Sequence, residues 1–143
     1  PGGRLLTANG SIVPDVDLSA DSLNYSPALR RLLAARENPL AIFSETYSAA
    51  HPELARDREG FIRNFEPPES LLRDFQQQAR KMGVNFSAQD LSRNREGVRL
   101  LLKREIAAMM WGEEVRTQIT LLADPQVRDC SGLWRRARQL TGR

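Results

Sequence analysis

From Ser26 onward the apolar residues recur with a period of about 3.6, the spacing of an amphipathic helix. Ser26 and Pro27 make a helix start, and Leu29, Leu32 and Leu33 form one stripe up to about Arg36. Asn38-Pro39 repeats the start signal. Leu40, Phe43, Tyr47 and Ala50 follow on one face until His51-Pro52 ends the element. A shorter helix is expected near Asp57 to Phe65, with Phe61, Ile62 and Phe65 as its apolar residues. Pro67-Pro68 separates it from a helix over Glu69 to Met82, lined by Leu71, Leu72, Phe75, Ala79 and Met82. Gly83 is placed to close that helix in a left-handed conformation.

Ser87 with Asp90 three positions later reads as a capping box with a shortened acid. Beyond it lies the longest helical stretch, from about Asn94 to Ala123. Val98, Leu102, Ile106 and Met109 form one seam, and Trp111, Val115, Ile119 and Leu122 form a second arc more than about 100° away. The buried side therefore turns at Trp111-Gly112, by a kink at Gly112 or by packing of the two halves on different neighbours. Asp124-Pro125 opens a last helix in which Val127, Cys130, Trp134, Ala137 and Leu140 share a face.

The first 24 residues have a different pattern. Arg4 to Ala8 suits a short strand, Asn9-Gly10 a turn, and Ser11 to Leu18 an extended segment with apolar residues at 12, 16 and 18. Pro14 lacks the donor that a central strand needs, so this is an edge strand or connecting arm. Two short extended segments make no stable sheet alone, and their partners are expected outside the chain. The expected class is mainly α: an extended arm over 1–24, then a compact domain of five to seven helices over 25–143.

Composition narrows the function. At 143 residues with 41% hydrophobic content, the chain suits one domain with a real core. No apolar run approaches the roughly 18 residues that would span a bilayer. Cys130 and His51 are the sole residues of their kinds, which excludes an internal disulfide and a zinc site built from Cys and His. The 19 Arg and 2 Lys outnumber 18 acids by three, and the surplus lies in the C-terminal half. Nucleic acid or an acidic partner thus stays open through Arg128, Arg135, Arg136, Arg138 and Arg143. The chain starts at Pro1 with no basic-then-apolar leader, and it reads as a piece of something longer.

Candidate chemistry is sparse. His51 is the only imidazole available to activate a serine, and it sits at a helix end. Lys81 and Lys103 stand beside Arg80 and Arg104 and are expected in solvent, charged, which removes them as bases for a serine. Glu113 and Glu114 are adjacent on a helix and point about 100° apart, so they form no dyad. Asp15 and Asp17 read as the wet side of an edge strand, Cys130 as a small buried hydrophobe, and Trp111 and Trp134 as core. No glycine pattern cradles a phosphate. No catalytic, cofactor-binding or metal-binding residue is assigned.

The segment Gly10-Ser11-Ile12-Val13-Pro14-Asp15-Val16, with Gly3-Arg4 upstream, resembles the Gly-Gly-Ile-x-Pro-Asp-Val stretch that closes the core of carboxyl-terminal processing (tail-specific) proteases, with Ser11 in place of the second glycine. Phe43, Tyr47, His51-Pro52-Glu53-Leu54, Leu72, Phe75, Gly83-Val84, Phe86 and Trp111-Gly112-Glu113 resemble, in order, the helical C-terminal extension of some bacterial members. The resemblance implies an envelope, periplasmic serine endopeptidase with a Ser/Lys dyad and a PDZ domain upstream of Pro1. No catalytic role passes to a residue of this chain. The expected function is a non-catalytic helical domain that packs on the protease core or a second subunit, with the arm pairing copies of the chain. The alternative is an autonomous helical module that uses the basic C-terminal face.

Overall fold

A computed structural model describes residues 25–124, and 78% of these are helical, with no strand among them. The seven α-helices are α1 (Pro27–Leu33), α2 (Pro39–Ala50), α3 (Arg58–Asn64), α4 (Glu69–Lys81), α5 (Ala88–Arg93), α6 (Arg95–Trp111) and α7 (Glu113–Ala123). A 3₁₀ turn, Pro52–Arg56, joins α2 to α3. The mainly α class read from the periodicity is the observed one. The arm over 1–24, its oligomeric pairing and the helix after Asp124 lie outside the described residues.

The helix starts follow from side chains that accept the otherwise unpaired amides of a first turn. Ser26 Oγ accepts from Leu29 N at 3.2 Å, Asn38 Oδ1 from Leu40 N at 3.1 Å, and Asp57 Oδ1 from Gly60 N at 2.8 Å. Both halves of the predicted capping box are present: Asp90 N donates to Ser87 Oγ and Ser87 N to Asp90 Oδ2, each at 3.0 Å. Gly83 follows α4 at φ 81°, the left-handed closure expected of it.

The Asp90 carboxyl accepts from the Ser87 amide and, at 2.8 Å, from the Ser87 hydroxyl, and these two bonds hold it below its ordinary range. A carboxyl depressed in the folded state stabilises above its unfolded pKa, near 4, and that contribution is lost as pH falls through the folded value. Asp90→Asn should therefore lower the melting temperature at pH 6, and the gap to the parent protein should close as the pH is taken down to about 2. Thermal melts between those limits check it, and a gap independent of pH contradicts it.

α6 is the central element, packed against α2, α4, α5 and α7. Its Val98, Leu102 and Ile106 are fully buried, as are Leu32, Leu40, Leu72, Phe75 and Phe86 from the surrounding elements. α1 approaches α6 where Gly97 leaves room, since a Cβ there would stand 2.9 Å from Leu29 Cδ1. Aromatic rings tie α2 to α4, with Phe43 edge-on to Phe75 at 5.5 Å.

Four expectations of the apolar pattern need correction. Met109 was expected on the buried seam and is 42% exposed. The buried side of α6 turns earlier, at Ala107, toward Trp111, whose ring meets Phe61 of α3 at 5.2 Å. Leu122 is exposed because α7 buries only Val115 and Ile119. Leu33 is exposed since α1 ends there, short of Arg36. Ala50 is exposed at the end of α2.

Buried Ser44, on the inner face of α2, has a hydroxyl with no hydrogen-bond partner, although its carbonyl accepts from Ser48 Oγ at 2.6 Å. Ser44→Ala removes this unpaired group and adds helix propensity, so it should stabilise the protein by about 1 kcal/mol. Chemical denaturation would show the midpoint rising, and a falling midpoint would mean the hydroxyl is satisfied after all.

Candidate functional site

The polar side chains that sequence reasoning weighed as chemistry are distributed rather than convergent. His51 caps the end of α2, its Nδ1 donating to Glu53 Oε1 at 2.9 Å and its ring lying 4.3 Å from that of Tyr47. The Glu53 carboxyl sits below its ordinary range, chiefly through its own backbone amide and then His51. Burial, then the Glu53 charge, pushes the Tyr47 phenol up. The cluster thus orders the turn from α2 into the 3₁₀ segment, which agrees with His51 as a helix-end residue.

Lys103 corrects its expected place in solvent. The side chain is part-buried, and Nζ donates to the Ile62 carbonyl near the end of α3 at 2.7 Å. Burial lowers its pKa, while Glu66 opposes the shift. The neighbouring Arg104 suggested an exposed face, but α6 is covered on several sides and this residue falls between them. Its amine ties α3 to α6.

Glu113 and Glu114 diverge as expected. Glu113 Oε2 pairs with Arg116 at 3.1 Å, and Glu114 Oε1 with Arg58 at 3.2 Å across to α3. Arg116 also reaches Glu105 Oε2 at 2.9 Å, and this second pair was missed from the sequence. Glu105 is 7% exposed, a charged residue on the inner side of α6. Its place beside Ile106, at the edge of the apolar seam, was the local hint of burial, and nothing near it in the sequence pointed to Arg116 as its partner. Glu69 Oε1 similarly receives Arg95 and Arg99, each at 3.0 Å, and ties the start of α4 to α6.

Trp111 is half-buried against the core, as read from its seam. Asp15, Asp17, Cys130, Trp134 and the arginines at 128, 135, 136, 138 and 143 lie outside the described residues. Within 25–124, 15 basic residues face 14 acidic ones, so this body carries only one of the three surplus positive charges. Among the described residues no group of three or more His, Cys, Asp or Glu side chains is arranged to hold a metal ion. Among them, too, no helix is long and apolar enough to cross a membrane. The surface grooves bounded by Arg31, Arg36 and Gly83, and by Tyr25, Leu29 and Gly97, are shallow and open.

These features define a helical domain held by a single apolar core and by ion pairs between helices. The chain belongs to a family of unknown function, DUF8443, whose model matches residues 35–112, over half of the sequence. The matched span runs from just beyond α1 to Gly112. No curated protein and no solved structure matches the chain.

Proposed function

We propose that this chain is the non-catalytic, helical C-terminal part of a bacterial carboxyl-terminal processing serine endopeptidase of the cell envelope, where it packs on the protease core or on a second subunit. The observation that carries this reading is the segment Gly10 to Val16, which resembles the close of that protease core and stands 11 positions ahead of the first helix at Pro27. The side chains support a packing role. His51 is held by Glu53, and Lys103 by a backbone carbonyl, each at a junction between helices. The Ser/Lys dyad and the substrate-binding PDZ domain belong upstream of Pro1.

The genomic sequence upstream of Pro1 should encode a β-rich region with a Ser followed within a few dozen residues by a Lys. The parent enzyme, assayed on a protein substrate with a free C-terminus, should lose at least tenfold in processing when residues 25–143 are removed. The 143-residue chain alone should cut nothing. Turnover by that chain, abolished by replacing one of its own side chains, overturns the proposal.

A further inference from the structure

The junction between α6 and α7 combines three features that favour another arrangement of the same contacts. Gly112 stands at φ 88° and ψ −176°, a backbone region open essentially to glycine alone. α7 then begins without a side-chain cap, so the amides of its first turn have no partner within the helix or from a capping residue. The sequence on both sides is continuously helical in character, with no proline between Arg95 and Ala123. If Gly112 became helical, the first-turn amides of α7 would meet the last carbonyls of α6, and the unusual backbone angles would disappear.

A single chain cannot straighten in this way and keep α7 on its own α6. Two chains can. We propose that two copies of this protein exchange α7: in each, residues 95–123 form one helix about 43 Å long, and α7 of one copy packs on α6 of the other. The contacts are those of the monomer. Val115 and Ile119 are buried again, and Arg116 of one copy meets Glu105 of the other, so the two states differ mainly at the hinge. The family model ends at Gly112, which sets the exchanged helix apart from the matched unit. The exchange involves α7 and is independent of the expected pairing through the arm and of the proposed protease role.

Two substitutions act on the hinge in opposite directions. Gly112→Ala penalises the broken junction and favours the continuous helix. Each hinge should contribute about tenfold, and two hinges per dimer should tighten the dimer about a hundredfold. Glu113→Pro suits the first position of α7 but cannot sit inside a continuous helix, so it should hold the chain monomeric. Light scattering after size exclusion, on the full chain incubated near its melting temperature and cooled, reads both.

A third experiment asks whether α7 itself is exchanged. Glu105→Arg and Arg116→Glu each place like charges together, within a monomer or in a dimer of one variant. Mixed in equal amounts, the two should form a heterodimer in which both pairs are restored. The proposal is overturned by a folded Gly112→Ala variant that stays monomeric at millimolar concentration. It is equally overturned by a Gly112→Ala dimer that persists when Glu113→Pro is added, or by folded charge variants that fail to pair.

Discussion

Phe75→Ala should remove about 3–5 kcal/mol of stability, the cost of truncating a large core aromatic whose surroundings relax only in part. Phe75 is fully buried on α4, between the core residues of its own helix and the edge-on ring of Phe43 on α2. A domain of this size holds about 5–15 kcal/mol in total. The midpoint of thermal unfolding should therefore fall by about 10–20 °C, given the few degrees that each kcal/mol moves it. Phe75→Leu keeps much of the volume and should cost less than half as much. Equal losses for the two variants would show that the site closes over the gap, and that α2 and α4 are less rigidly packed than their ring contact implies.

Arg116→Ala should cost about 2–4 kcal/mol, more than a surface ion pair ordinarily contributes, because it leaves the Glu105 carboxylate buried without its cation. The partner, Glu113, is exposed and tolerates the loss. Glu105→Leu combined with Arg116→Leu should recover most of the difference, since apolar groups of similar size need no hydration. The cycle of Glu105→Leu, Arg116→Leu and the variant carrying both, measured by denaturant unfolding, should thus be strongly non-additive. Additive losses would mean that water reaches Glu105 and that the pair contributes little.

The pair also explains why α7 stays on α6 despite a modest apolar contact. Two buried side chains, Val115 and Ile119, are joined by one ion pair to Glu105 and another from Glu114 to Arg58. The second link reaches α3, so α7 bridges two elements that are distant in sequence. Breaking either link should loosen α7 before it affects the body formed by α2, α4 and α6.

Local order was legible wherever a residue acts on its own neighbourhood. Ser26, Asn38 and Ser87 were readable as caps because a cap depends on the side chain and on amides two or three positions away. Gly83 was readable because it directly follows the last apolar residue of a helix. The apolar steps of α2 and α4 gave Leu40, Phe43, Leu72 and Phe75 as core because these helices each turn one continuous face inward. His51 and the two adjacent glutamates were also readable, since their geometry follows from position along a helix.

The candidate site was less legible for the same reason in reverse. Lys103 and Glu105 sit in a charged run on α6, and charge alone points to water. Their burial comes from residues 41 positions earlier and 11 positions later, the Ile62 carbonyl and Arg116. Met109 fell on a correct helical period, yet Phe61 drew the neighbouring Trp111 inward and left it outside. Periodicity states which residues share a face. It does not state where the partner element stops.

The amino-acid order by itself thus determined a mainly α body, its helix starts and ends, and most of the side chains that fill its centre, because those depend on interactions within a turn or two. Tertiary packing alone decided that α6 would be enclosed and that Glu105 and Lys103 would find partners across helices, while the break that the apolar pattern marked at Trp111-Gly112 took the form of a glycine junction between two packed helices. Enclosure is a property of several elements at once. Whether a charged residue is paired or solvated depends on what lies opposite, which no local pattern records.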